Sequence, residues 1–373
     1  MLILLLGLIF LYGWVMLRRL WAWQQMPPAI LPPDFKSKTK ISVIIPIRNE
    51  RQNISRLLQD LSNQNYPAQL FEVLVINDHS EDNSEELVNQ LAGQVPFTLR
   101  CLNLAEQTGK KAAVALGVAA ATGELLVFTD GDCRVQPNWL TYFAFCYVTK
   151  EAKFISGPVC YAPTPTFFEK MQLVEFASLI GTGGSSIALG KPNMCNGANL
   201  AYPKEIFTQV NGFAGNAHLP SGDDEFLMHK VHQQYPGSVY FLKASAATVF
   251  TQAKPTLASF FAQRVRWASK WPAYQQIGVK LLAVLVFGVN FMLFLGLLLA
   301  LTNNFSWFAL SLAFGLKILI DFLFLKPVLK FFNKLKYSYI ILPLQFIYVP
   351  YVVITALTGL RGSYHWKGRK IKP

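Results

Sequence analysis

The sequence predicts an α/β domain with a mainly parallel central sheet, set between membrane helices near the two ends of the chain. Three observations lead there. Between Lys40 and Thr129, short apolar runs alternate with helix-like segments. Two acidic clusters, Asn77-Asp78 and Asp130-Gly131-Asp132, close two of those runs. Apolar sequence dominates Met1 to Val15 and most of Ile277 to Leu360.

The first apolar run is followed by Arg18-Arg19. A cleaved signal peptide carries its positive charge ahead of the apolar run and ends in a small-residue cleavage site. The reverse order here reads as an uncleaved anchor over residues 1–22 with its N-terminus outside, although the run is short against the roughly 20 residues of a spanning helix. Pro27-Pro28 and Pro32-Pro33 mark a linker. The catalytic-type domain then occupies residues 38–255.

Within it, Ile41 to Pro46, Phe71 to Ile76, Phe97 to Leu102 and Glu124 to Thr129 read as strands. Asn53 to Leu61 places Ile54, Leu57, Leu58 and Leu61 on one helical face. Ser80 to Leu91 opens with the serine and acids of a helix N-terminus. Lys110 to Ala121 is an alanine-rich helix. This β-α-β-α-β-α-β order predicts parallel strands covered by helices, with ligands at the carboxyl ends of the strands. Further on, Ile155 to Val159 reads as a strand, Phe167 to Ser178 as a helix and Gly181 to Gly190 as a Gly/Ser-rich loop. Lys204 to Val210 and Glu225 to Gln233 read as short helices.

Residues 256–276 read as an amphipathic interfacial helix rich in Phe, Arg, Lys and Trp. Residues 277–360 hold three long apolar stretches, Ile277 to Leu301, Phe305 to Leu325 and Tyr337 to Leu360. They make two or three passes, because Pro343 and Pro350 allow the last to be kinked or re-entrant. A basic tail, 361–373, follows. Basic residues from Lys326 to Lys336 mark a cytoplasmic side, which also makes the acidic-cluster domain cytoplasmic. A third full pass sets the basic tail against that rule.

Composition agrees with membrane attachment. Of the 373 residues 15% are charged and 52% apolar, and the mean hydropathy is +0.31. A soluble domain has about 25% charged residues. The net charge of +13 clusters beside apolar segments, which suits anionic lipid. No nucleic-acid-binding motif accompanies it. The five cysteines form no CxxC pair, which favours a reducing compartment over a disulfide framework.

The chemistry lies in the acidic clusters. Asp130 and Asp132, one residue apart on a turn, can face one Mg²⁺ or Mn²⁺ ion, and the same residues also make an ordinary Asp-Gly turn. Asp78 suits a contact to a nucleotide base or ribose, or a helix N-terminus. Asp223-Asp224 suits a general base at a loop-helix junction, or acids in a first helical turn. In Gln263-Arg264-Val265-Arg266-Trp267, residues Gln263, Arg266 and Trp267 share a helical face. Arg binds diphosphate oxygens and Trp offers a flat surface to a sugar or acyl chain, while both also anchor interfacial helices.

Together these segments resemble the family 2 glycosyltransferases, which include polysaccharide synthases and ceramide glucosyltransferases. The resemblance runs from about Lys40 to Trp267. It is carried by Val43-Ile44-Ile45-Pro46-Ile47-Arg48-Asn49-Glu50, Asn77-Asp78-His79-Ser80, Gly109-Lys110-Lys111, Thr129-Asp130-Gly131-Asp132, Asn196-Gly197-Ala198-Asn199, Gly222-Asp223-Asp224 and the Gln-x-x-Arg-Trp pattern. Asp223 departs from the usual Glu but keeps the charge.

That resemblance implies a GT-A (nucleotide-diphospho-sugar transferase) domain performing inverting transfer, with Asp224 as catalytic base and Arg266 neutralising the diphosphate. It implies Asp132, with Asp130, as ligands of Mg²⁺ or Mn²⁺. Pro46, Arg48, Glu50, Asp78, Lys110, Asp130, Gly197, Asn199, Asp223, Gln263 and Trp267 become the substrate-binding set. The implied donor is a nucleotide sugar of the UDP class. The acceptor is a cell-surface polysaccharide or a lipid of the ceramide, diacylglycerol or polyprenyl-phosphate type. The expected partners are these substrates and membrane lipid, with no nucleic acid. A non-catalytic nucleotide-sugar-binding scaffold is the remaining alternative.

Overall fold

The computed structural model describes residues 1–216, 219, 221–270, 273–359, 364–366 and 369–371. The chain forms two compact units. One comprises residues 26–162 and 186–252, and the other residues 1–25, 163–185 and 253–373.

The first unit is built on a seven-stranded sheet. Its elements are β1 (Ile41–Ile47), α2 (Ile54–Ser62), β2 (Phe71–Asn77), α3 (Ser84–Leu91), β3 (Thr98–Asn103), α4 (Lys110–Ala120), β4 (Leu125–Phe128), α5 (Trp139–Lys150) and β5 (Phe154–Ser156). After these come β6 (Val159–Tyr161), β7 (Leu200–Pro203), α7 (Lys204–Gln209), α8 (Glu225–Gln234), β8 (Val239–Phe241) and β9 (Val249–Thr251). The order across the sheet is β3-β2-β1-β4-β7-β5-β8. β1, β2, β3 and β4 are parallel, and β7 runs antiparallel to both β4 and β5.

β2 and β4 are buried along their whole length, as strands covered on both faces are. α2 buries Ile54, Leu57, Leu58 and Leu61, the face read from the sequence, each contributing up to about 1.5–3 kcal/mol. The chain steps outward from β1 through β2 to β3, then returns through α4 to place β4 on the other side of β1, so the strand order reverses there. The carboxyl ends of β1 and β4 therefore open a crevice between neighbouring loops, the position where such sheets bind ligands.

The strand expected from Ile155 to Val159 is broken at Gly157-Pro158. β5 joins the main sheet, while β6 pairs with β9 in a separate two-stranded ribbon. Proline cannot donate to a ladder. A Cβ on Gly157 would also stand 2.4 Å from the Asn199 amide nitrogen.

The second unit is helical. Its elements are α1 (Leu2–Gln25), most of α6 (Phe167–Ala188), α9 (Leu257–Ala268), α10 (Ile277–Leu301), α11 (Trp307–Phe331), α12 (Ile341–Gly359) and the hairpin of β10 (Tyr364–Trp366) and β11 (Arg369–Ile371). Among the described residues, four helical segments are long and apolar enough to cross a membrane: Leu2–Gln25, Ile277–Leu301, Trp307–Phe331 and Leu335–Gly359. The first continues past Arg18-Arg19, so the short apolar run becomes a 24-residue helix. The last remains helical through Pro350. α1 packs on α10 and α11, and α12 packs on α9, α10 and α11.

The Gly/Ser-rich stretch expected as a loop is helical to Ala188. Its small residues admit close helix approach. A Cβ on Gly181 would lie 2.7 Å from Val328 of α11. Much of the basic tail lies outside the described residues.

Candidate active site

Two strand-end loops form the floor of the crevice. The Arg48 guanidinium donates to the carbonyls of Asp78 (2.9 Å) and His79 (2.6 Å) and pairs with Glu81 (3.0 Å). Asn49, at φ 56°, accepts from the Glu81 N–H through its side chain. The segments after β1 and β2 are thus tied together. Asp78 is buried. Its Oδ2 accepts the Gly109 N–H at 3.0 Å, which ties the β2 loop to the start of α4.

The turn after β4 lies directly on this floor. A Cβ on Gly131 would approach Ile47 Cγ2 to 2.9 Å and Glu50 Cγ to 3.0 Å. Glycine between Asp130 and Asp132 therefore has a packing cause. Glu50 is buried beneath the turn and accepts from Asn53 at 2.8 Å.

α4 begins at Gly109, which at φ +97° occupies a conformation that suits glycine. The next residue, Lys110, enters the crevice. Its Nζ donates to Asp130 Oδ1 at 2.6 Å and lies 3.9 Å from Asp223 Oδ2. Asp224 caps α8. Its Oδ1 accepts the Glu225 N–H and its Oδ2 the Gly197 N–H, both at 2.8 Å. Gly197 sits where a Cβ would come within 3.0 Å of Lys110 Nζ. Pro46, Lys110, Gly197, Asp223 and Asp224 line one cleft with the apolar Val114, Phe128, Leu200 and Tyr202.

Electrostatics interlock there. Burial pulls the Lys110 ammonium down, but Asp130, Asp223 and Asp224 outweigh it and hold the group well above its ordinary value. Burial pushes the Asp223 carboxyl up and Asp224 and Asp130 add to the effect. The opposing Lys110 does not cancel them. Burial, then Asp132 and Asp130, push the Cys133 thiol well up, which disfavours the reactive thiolate.

Asp130 and Asp132 are both partly exposed. Among the described residues, no group of three or more His, Cys, Asp or Glu side chains is placed to hold a metal ion. Two oxygen donors on one turn fit Mg²⁺ or Mn²⁺, which binds one or two carboxylates and completes its shell with water and substrate phosphate.

Asn199 departs from the expected set. It is 0% exposed. Its amide donates to the carbonyls of Pro158 (2.7 Å) and Ala247 (3.0 Å), and its oxygen accepts Trp139 Nε1 at 2.9 Å. Both of its N–H groups are spent on the fold, so its side chain braces the strands behind the cleft. Arg48 and Glu50 likewise support the site from below. One contributor was missed. Lys111 is buried, donates to the Asn216 carbonyl and lies 5.7 Å from the Phe226 ring centroid, so it ties the start of α4 to Asn216 and to α8. Its place beside Lys110 was the available signal.

Gln263, Arg266 and Trp267 lie on α9, in the helical unit, and all three are half-buried. Trp267 packs 6.0 Å, centroid to centroid, from Phe176. Between them in sequence, Arg264 forms a buried ion pair with Glu175 that the helical-face pattern did not anticipate.

A parallel sheet with acidic turns at its carboxyl ends, continued by antiparallel β7, is the GT-A architecture of nucleotide-diphospho-sugar transferases. Residues 42–210, a little under half of the chain, match the profile described as Glycosyl transferase family 2. Among curated proteins it is similar to Glycosyltransferase AglE of Haloferax volcanii, 29% identical over 192 residues, 49% of this chain and 58% of that protein. It is also similar to Probable glycosyltransferase YdaM of Bacillus subtilis, 25% identical over 243 residues, 63% of this chain and 56% of that one. The similarity thus spans less than two thirds of either relative. In fold the chain resembles the mannosyltransferase PcManGT of Pyrobaculum calidifontis, solved with GDP-Man and Mn²⁺. Its TM-score is 0.61 at 19% identity, and 95% of each chain is covered.

Proposed function

We propose that this protein is a membrane-associated, inverting glycosyltransferase that moves a sugar from a nucleotide-diphosphate donor to a hydroxyl on a polysaccharide or lipid acceptor. The observation that carries this reading is the meeting of Lys110, Asp130, Asp223 and Asp224 around Gly197, from three separate segments, at the carboxyl ends of the strands.

Each group has a role set by its chemistry. Asp224, its two oxygens aligned by backbone N–H groups, accepts the proton of the acceptor hydroxyl. The acceptor oxygen forms a bond to the anomeric carbon as the bond to the diphosphate oxygen breaks on the opposite face. The nucleoside diphosphate leaves with that electron pair, and configuration inverts. Lys110 holds positive charge beside the departing group, and Arg266 is assigned the same task from the family pattern. Asp130 and Asp132 are assigned the divalent ion, which when bound neutralises charge on the diphosphate. Asp78 is assigned the nucleotide-base side, and Gln263 and Trp267 the sugar and acceptor side.

The four candidate spans support a membrane setting, and the basic residues beside them support a cytoplasmic catalytic unit. The Gln-x-x-Arg-Trp pattern favours a polysaccharide acceptor. Similarity over 99 residues, 31% identical, to the dolichol-phosphate mannosyltransferase of Pyrococcus furiosus favours a lipid acceptor as the second reading. The GDP-Man complex of PcManGT adds GDP-sugars to the UDP-sugars worth testing.

The test is a panel of UDP- and GDP-sugars with Mg²⁺ or Mn²⁺ in membranes, followed by mass analysis of insoluble and lipid-extractable products. One donor is expected to be consumed with a matching glycosylated product. Consumption of none rejects the enzyme reading.

A further inference from the structure

Arg264 directly follows Gln263 and precedes Trp267 by three residues, so it borders the face shared by Gln263, Arg266 and Trp267 on the side of the indole. It is 3% exposed. Its Nε and Nη2 donate to the two carboxylate oxygens of Glu175 on α6, at 3.0 and 2.5 Å. Glu175 is itself buried and also accepts from the Tyr351 hydroxyl of α12 at 3.3 Å. The guanidinium is thus fixed in a planar, two-point clasp.

From that fixed position Arg264 reaches both neighbours. Its Nη1 donates to Gln263 Oε1 at 2.6 Å, and its Cζ lies 4.2 Å from the Trp267 ring centroid. An arginine can only donate, so the oxygen end of the Gln263 amide must face it. The NH₂ end is then the one left to point away. A flexible side chain acquires a definite polarity, and the indole acquires a rigid backing.

We propose that Arg264, clasped by Glu175, is a positioning residue. It presents Gln263 as a hydrogen-bond donor to a substrate oxygen, a phosphate or a sugar hydroxyl, and holds the Trp267 ring in a single orientation. This deepens the proposed function and rests on it, since Gln263 and Trp267 take their substrate role from that reading.

The test is a coupling experiment on the full-length protein in detergent or membranes. The pair Glu175→Gln/Arg264→Gln removes both charges together, so neither is left buried alone. In the wild-type background kcat is expected to fall roughly 10- to 100-fold while donor KM moves by less than about threefold, the signature of misplaced groups. In a Gln263→Ala/Trp267→Ala background the same pair is expected to cost nothing further, because what it positions is gone. An equal additional fall there means Arg264 acts elsewhere and overturns the proposal alone. Wild-type kcat in Gln263→Ala/Trp267→Ala overturns the substrate role of that face and the proposal with it. Arg264→Lys keeps the charge but not the planar fork, and is expected to remain impaired. Full recovery with lysine overturns the proposal. If the neutral pair does not fold, Gln263→Glu decides. It keeps the acceptor for Arg264 but replaces the outward donor with an acceptor, so kcat is expected to fall with the melting temperature unchanged. Unchanged kcat overturns the proposal.

Discussion

Lys110 Nζ donates to Asp130 Oδ1 at 2.6 Å, which sets a fixed cation against the acidic turn after β4. The same ammonium lies 3.9 Å from Asp223. One side chain therefore balances carboxylates from two motifs separated widely in sequence. A divalent ion at Asp130 and Asp132 must share Asp130 with it.

That sharing predicts opposite effects on two ligands. Lys110→Met removes a competitor for Asp130, so Mn²⁺ alone is expected to bind more tightly. The nucleotide diphosphate loses a charge-assisted hydrogen bond of about 1.5–3 kcal/mol, roughly 10- to 100-fold in affinity. Isothermal titration with Mn²⁺ alone, and then with nucleotide at saturating Mn²⁺, reads the two terms separately. Weaker binding of both contradicts the competition.

Asp224→Asn tests the proton acceptor. Asparagine keeps the size and one acceptor oxygen but cannot take a proton. Turnover is expected to fall about 10²- to 10⁴-fold, the scale of general-base catalysis. Nucleotide affinity is expected to hold within about twofold, because the lost interaction belongs to the transition state. Retained turnover transfers the role to another group, with Asp223 the other carboxylate that lines the cleft.

The parallel half of the sheet was legible because β1, β2 and β4 are buried on both faces, which forces continuous apolar runs. The acidic cluster at each strand end was legible because turns there need Asp and Gly for local reasons as well as for function. What sequence could not supply was the direction in which a polar residue is used. Asn199 has a suitable donor type in a suitable loop, yet its amide faces inward to the carbonyls of Pro158 and Ala247. The small residues of α6 gave the opposite error. Gly181 suggests a loop by local propensity, but its contact with Val328 shows a helix thinned for packing. In both cases a tertiary neighbour, invisible in one dimension, decided the outcome.

Glu72 on β2 predicts an acid limb to stability. Burial pushes its carboxyl up, but hydrogen bonds from the Ser42 hydroxyl (2.7 Å) and from the Thr122 N–H (2.6 Å) and hydroxyl (2.7 Å) outweigh burial. They hold it below its ordinary value of 4.5. A carboxyl depressed by folding contributes stability that is complete above its unfolded value and lost as pH falls through its folded value. The contribution should therefore be intact at neutral pH and decline below about 4.5. Glu72→Gln is expected to lower stability at neutral pH and to flatten this decline. Glu72→Ala should cost about 1–3 kcal/mol for each donor left buried without an acceptor. Denaturant unfolding of the two variants between neutral and acidic pH checks both expectations.

The helical unit holds a buried polar cluster inside its candidate spans. Lys317 Nζ donates to Asp321 at 2.8 Å and to Gln345 at 2.5 Å, and the Tyr12 hydroxyl donates to the other Asp321 oxygen at 2.5 Å. Lys317 is only 1% exposed. The signal was present in the sequence as Lys and Asp at i and i+4 within an apolar stretch, where ionisable residues are rare and paired. Asp321 joins α1 to α11, so its loss acts on helix association as well as on charge. Asp321→Ala leaves the ammonium without its carboxylate in an apolar interior, a change that typically costs about 3–5 kcal/mol. Lys317→Met/Asp321→Leu removes both charges and fills the space, but leaves the Tyr12 hydroxyl and the Gln345 amide without these partners, so it is expected to cost less than Asp321→Ala without reaching wild type. Thermal unfolding in detergent should place Asp321→Ala well below the wild-type midpoint and the double replacement between the two. Equal losses in both variants would mean that the Tyr12 and Gln345 hydrogen bonds, rather than the ion pair, hold α1 and α12 to α11.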